Sequence, residues 1–248
     1  PIVSSQDDNF GAPSDALNVW DLFVDWTVPG GSVNLLLPVQ LPVAEFDSNV
    51  CGLFCREEIS QPITTQKLDS IGYSLLHRLA YRNFGSYESM VVVRGGVKRA
   101  GNGSPLGVRW FEIRRDTSGS YTVHQESTFS PDDGITRWMG SIAQDHVGNI
   151  AMGYSVVGAN VFPGIRYAGR LAGDDLGTMS LGEQSLIEGS AYQDGTSRWG
   201  DYSSMNIDPT DDCTFWYTTE YYDDNGGSPN RELFWQTRIG SFVLPGCK

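Results

Sequence analysis

Three stretches of this chain, Leu76–Met90, Met139–Gly153 and Tyr202–Trp216, superpose without gaps at a constant interval. Gly85 to Gly148 and Asp145 to Asp208 are each 63 residues apart. In every copy an apolar or small strand runs into a tight polar turn and returns as a more apolar strand, the pattern of one β-hairpin. A second, more charged hairpin follows each, ending in alternating aromatic and basic residues at Val108–Arg114, Ile165–Arg170 and Leu233–Arg238. Two hairpins make a four-stranded sheet, and such sheets bury their apolar faces by stacking on their own copies. A period a little above the ~40 to 50 residues of familiar propeller repeats therefore predicts an all-β chain of four-stranded antiparallel blades, a β-propeller. A β-sandwich with coincidental spacing is the alternative.

The repeat divides the single domain, or fragment, 1–248 into blade-like modules at 67–130, 131–193 and 194–248, after an incomplete first blade and loop at 1–66. Turn signals such as Asp116-Thr-Ser-Gly119, Pro131-Asp-Asp-Gly134, Asp145-His-Val-Gly-Asn149 and Asp223-Asp-Asn-Gly226 separate the strands. Helical periodicity is confined to Thr64–Leu79, where Leu68, Ile71, Leu75, Leu76 and Leu79 recur at helical steps. Near the N-terminus, Asn18–Trp26 and Ser32–Leu37 read as an outer hairpin with no inner hairpin before it, whereas the C-terminal module reads as complete. The chain opens on Pro1 with neither an initiator Met nor a signal-peptide pattern. It is thus expected to be processed or truncated, with its missing inner strands on an upstream segment of the same precursor and the chain itself the C-terminal portion of a larger propeller.

Charge narrows the partners. Lys and Arg number 17 against 30 Asp and Glu, a formal net charge of −13, which disfavours a nucleic-acid partner because phosphate binding relies on surplus cations. No apolar run approaches the ~18 to 20 residues that cross a bilayer, and no basic amphipathic helix is present, so no membrane insertion is expected. The four cysteines, Cys51, Cys55, Cys213 and Cys247, lack CxxC spacing or clustered histidines. Disulfides are favoured over zinc or redox chemistry, and with them an oxidising compartment. Cys51 with Cys55 as a loop clasp and Cys213 with Cys247 as a C-terminal staple are favoured over the other pairings.

From Lys67 to Cys247 the chain resembles a group of large secreted bacterial proteins whose propeller is loosely grouped with the sialidase-like superfamily. The resemblance rests on Leu68–Ser89, Arg137–Ala143, Gly148–Ser155, Ile165–Leu171, Arg198–Ser204 and Asp208–Tyr217. It implies an extracellular location and a propeller beginning upstream, but no activity. A sialidase Asp-box would read Ser-x-Asp-x-Gly-x-Thr-Trp, and Asp145–Asn149 keeps only the Asp and Gly of a turn. Nor can a carboxylate-gripping arginine triad be assigned.

Arg137-Trp138 and Arg198-Trp199 each precede an innermost strand, where a propeller opens onto one mouth of its channel. With Asp201 and Tyr202 they form a candidate ligand site: an aromatic face stacks on a sugar ring and Arg grips an anion in bidentate fashion. The competing reading has each Trp plugging the space between blades and each Arg paired with an acid. His77, beside Arg78, reads as a hydrogen-bonded core residue; His124 and His146 fall in an outer strand and a turn. Asp201, Glu88, Glu126 and Asp145 are candidates for a paired-carboxylate glycosidase. Asp208, Asp211 and Asp212, or Asp223, Asp224 and Asn225, offer hard oxygen donors for Ca²⁺, with solvated turns as the alternative. Asn102-Gly-Ser104 is a formal glycosylation sequon followed by Pro105. No serine-nucleophile elbow, zinc-protease motif, P-loop or Rossmann fingerprint is present. The leading expectation is a secreted non-catalytic binding or surface-display propeller recognising glycans or other extracellular ligands, including proteins. A glycan-active hydrolase and a structural component of an extracellular assembly are the alternatives.

Overall fold

The computed structural model describes residues 1–52, 55, 57–98, 105–224 and 235–248. It is all-β apart from one short 3-10 turn at Asp8–Phe10. In chain order the N-terminal region supplies β1 (Ile2–Gln6), β2 (Ala16–Trp20), β3 (Leu22–Asp25), β4 (Ser32–Leu35), β5 (Val39–Pro42), β6 (Ile59–Ser60) and β7 (Lys67–Leu68). Three antiparallel meanders follow. The first comprises β8 (Ala80–Asn83), β9 (Tyr87–Lys98), β10 (Leu106–Asp116) and β11 (Tyr121–Phe129). The second comprises β12 (Thr136–Gln144), β13 (Ile150–Gly158), β14 (Val161–Arg170) and β15 (Glu183–Gly189). The third has three strands among the described residues, β16 (Ser204–Ile207), β17 (Thr214–Tyr222) and β18 (Trp235–Val243).

The repeated hairpins are β8–β9, β12–β13 and β16–β17, and the basic-aromatic stretches fall on β10, β14 and, from Trp235 onward, β18. Equal spacing has a physical cause in the turns. The Asp145 carboxylate accepts the amides of Val147 and Asn149, and Asp208, 63 residues on, accepts that of Thr210. Gly85 and Gly148 both take a left-handed backbone, at φ 80 and 93. The first strands lie side by side: Ser141 Oγ on β12 donates to the carbonyl of His77 just ahead of β8, at 2.8 Å, and accepts the Met205 amide of β16, also at 2.8 Å.

The sheets stack in sequence, so the strands between them are apolar on both faces instead of alternating. Val91, Val93, Val108 and Trp110 of the first meander pack against Ile142, Met152, Tyr154 and Val156 of the second. Ala143, Ala151 and Ile165 meet Met205, Phe215 and Tyr217 of the third. On the opposite side, Leu17, Val19 and Leu41 close over Met90, Val92, Phe111 and Ile113.

Two expectations are corrected. Thr64–Leu79 is not a helix: the chain pairs briefly as β6–β7, then turns as Asp69 and Ser70 accept the amides of Ile71 and Gly72. Ile71 is left-handed at φ 46, and the leucines that mimic a helical face serve different interfaces. The supposed N-terminal outer hairpin is split at Asp21. β2 pairs with β1 and β5, so a strand does precede it, while β3 and β4 form a separate, fully exposed ribbon. The expectation of a complete C-terminal module falls partly on residues 225–234, which lie outside the described ones. Cys51–Cys55 and Cys213–Cys247 pair as anticipated, with Cα atoms 5.7 and 5.6 Å apart.

Candidate functional site

The loop leading into β16 builds the site. It is fixed by a reciprocal amide clasp: Gln61 Nε2 donates to the Gln193 carbonyl at 3.0 Å, and the Gln193 amide donates to Gln61 Oε1 at 2.8 Å. Gln193 Nε2 then gathers the carbonyls of Thr196 and Arg198, and the Asp69 amide donates to that of Ser197. These bonds hold the course of the loop from Gln193 to Arg198.

Trp199 forms the base. It is 1% exposed, donates Nε1 to Ser155 Oγ at 3.0 Å, and sits between Trp138 and Tyr222, with ring centroids 5.8 and 5.9 Å away. Above it opens a cleft of about 390 Å³ whose walls include Arg198, Asp201, Tyr202, Glu220 and Trp235. Tyr202 is 89% exposed and Trp235 is 47% exposed, so two aromatic surfaces face solvent at the rim. Arg198 pairs with Asp201, leaving Asp201 Oδ1 buried without a hydrogen-bond partner. Glu220 on β17 accepts the Gly200 amide at 2.7 Å, and burial pushes its carboxyl above the usual glutamate range. The cleft thus offers stacking surfaces, an Arg198–Asp201 ion pair at its wall and one acid, Glu220, biased toward its protonated form.

The six residues expected to bind ligand divide. Arg198, Asp201 and Tyr202 line the cleft, with Trp199 beneath them. Arg137 and Trp138 do not reach it; both are 0% exposed. Burial works against the Arg137 charge, but hydrogen bonds to Asp133 and Glu183 outweigh it and raise the pKa. Trp138 belongs to the core with Met139 and Trp199. These two fill space between sheets and are corrected to structural residues. The reason is register: the Arg-Trp pairs lie 61 residues apart, two short of the repeat.

Asp208, Asp211 and Asp212 do not converge on a cation. Asp208 accepts Thr210 and the Trp216 indole N–H, Asp211 accepts the amides of Cys213 and Thr214, and both carboxylate oxygens of Asp212 are taken by Arg82. Asp223 accepts Ser190 Oγ, which in turn accepts the Asp224 amide; Asn225 and the sequon at Asn102 lie outside the described residues. The remaining carboxylates are scattered: Glu88 faces Arg115, Glu126 pairs with Arg109 and Asp145 caps its turn. His77 and Arg78 are exposed, contrary to a core role for that histidine.

Glu220 and Trp235 escaped the sequence reading. Glu220 is the sole carboxylate in the otherwise aromatic and hydroxylic β17, a signal in retrospect; Trp235 sits in a strand whose partner register no local pattern reveals. Comparison of the chain with protein-family models and with curated proteins gave no match.

Proposed function

We propose that this protein is a secreted, non-catalytic binding module, its stacked sheets consecutive blades of a sialidase-like β-propeller of the kind found in large secreted bacterial proteins. In this reading the cleft at the β16 entry loop takes a neutral glycan. Stacked meanders with adjoining first strands support the blade assignment, and two disulfides are compatible with an extracellular setting. No helix among the described residues is long and apolar enough to cross a membrane.

The observation that carries the reading is the placement of exposed Tyr202 and Trp235 over a cleft walled by Arg198, Asp201 and Glu220. Aromatic faces take the apolar side of a sugar ring while carboxylates accept its hydroxyls. One arginine already committed to Asp201, in a chain of net charge −13, favours neutral over sulfated sugars. A glycan array on the wild type, Tyr202→Ala and Trp235→Ala tests this. Folded variants that lose the wild-type hits support it, whereas hits unaffected by both substitutions refute the cleft as the site.

A second reading, a glycan-active hydrolase, draws on two carboxyl groups, Asp201 and Glu220, sharing the cleft, with burial biasing Glu220 toward its protonated form. Release of reducing ends from an array hit, abolished by Glu220→Gln, would favour it over simple binding. A purely structural role in an extracellular assembly would give no hits at all.

A further inference from the structure

We infer that His146, Cys213 and Cys247 form a redox-gated site for a thiophilic divalent metal such as Zn²⁺, closed while the disulfide stands and open once it is reduced. The site lies apart from the glycan cleft and does not depend on it. His146 Nδ1 lies 3.5 Å from Cys213 Sγ and 3.4 Å from Cys247 Sγ, and the three ligand atoms all fall within 4.8 Å of one another. Tetrahedral zinc with Zn–S near ~2.3 Å and Zn–N near ~2.0 to 2.1 Å places nitrogen about 3.5 Å from each sulfur. The imidazole therefore already stands at ligating distance from both sulfurs, and only the sulfur pair must part.

Contacts other than the S–S bond also hold the three segments. His146 rides in the β12–β13 turn that Asp145 caps through the Val147 and Asn149 amides, and its own amide donates to the Asp212 carbonyl at 3.1 Å. Cys213 is anchored by its amide to Asp211 Oδ1 at 2.9 Å. The tail bearing Cys247 is tied back by Asn149 Nδ2 to the Pro245 carbonyl at 3.5 Å. Three backbone segments thus present one ligand each, and the fourth coordination position is left to water.

The chemistry balances through thiol–disulfide exchange. An external dithiol gives up two electrons and two protons; the Cys213–Cys247 bond breaks, a disulfide forms in the dithiol, and two cysteine thiols result. Metal binding then releases both thiol protons. In the disulfide form Nδ1–H donates to the Asp212 carbonyl at 3.1 Å; coordination moves that proton to Nε2, giving up this hydrogen bond and freeing the Nδ1 lone pair for the metal. The C-terminal tail is fastened in either state, by a covalent bond under oxidising conditions and by metal under reducing ones.

The test is Co²⁺ titration of the Cys51→Ser/Cys55→Ser protein, oxidised and after reduction and removal of the reductant. We expect one Co²⁺ per chain with a thiolate-to-cobalt charge-transfer band in the reduced form only, displaced by Zn²⁺. His146→Ala should still form the disulfide when oxidised and titrate as two thiols when reduced. It should bind Co²⁺ roughly a hundredfold or more weakly, since even outer-shell losses cost about 10- to 100-fold. Absence of the band in reduced protein, or His146→Ala binding as the wild type does, would overturn the inference.

Discussion

Arg137 and Arg198 carry the same charge ahead of comparable strands, yet their surroundings set opposite roles. Arg137 is fully buried against Asp133 and Glu183, so Arg137→Ala leaves Glu183 only its longer contact to Arg166 and should cost about 3 kcal/mol in urea unfolding. Arg198 has a side chain 59% exposed, and Arg198→Ala should cost less than about 1 kcal/mol while weakening ligand binding. Sequence alone offered no way to separate them, because it shows which residues approach a strand but not how deep its neighbours bury them. Glu220 adds a pH dependence. Its folded pKa is raised by burial above the ordinary 4.5, so the native state holds a proton that the unfolded chain loses first. Stability attributable to this group falls as pH rises through and just above that value. Glu220→Gln keeps an acceptor for the Gly200 amide and should flatten the decline, leaving the variant more stable than wild type above that window in melts across pH ~4 to 7.

Close approach between elements decides what each strand tolerates. Gly153 on β13 lies under the Tyr217 ring, and a Cβ there would collide with it. Because Tyr217 is fully buried in the packing between the second and third meanders, Gly153→Ala should destabilise by about 1 to 3 kcal/mol. Gly240→Ala meets the Leu186 side chain, which is half-buried and can turn aside, and should cost less, a contrast that parallel denaturant melts will measure. The Cys213–Cys247 bond closes a loop of 34 residues, and Cys213→Ser/Cys247→Ser should lose about 4 kcal/mol by loop-closure entropy. The hairpins were legible because their turns announce themselves through Asp145, Gly148 and Asp208. Thr64–Leu79 misled because leucines needed at several interfaces happened to fall at helical spacing. The N-terminal strands were misread because nothing local shows that β2 ends where Asp21 turns its carboxylate to the Tyr121 hydroxyl at 2.6 Å.

For the molecule as a whole, the repeat carried the information. Equal intervals between hairpins predicted that like strands would be neighbours, and the Ser141 contacts to His77 and Met205 place them so. The cleft was half legible: Arg198, Asp201 and Tyr202 fall on one loop, whereas Glu220 and Trp235 reach it from strands distant in sequence. The same order of stacking underlies the blade assignment, since only sheets laid in chain order bring their first strands to a common line. Nuclear Overhauser contacts in deuterated protein with protonated Ser, His and Met test that arrangement most directly. We predict cross-peaks from the Met205 amide proton to the Ser141 β-protons, and from Ser141 to His77. Ser141 without contact to either neighbour, or in contact with strands from other sheets, would contradict it.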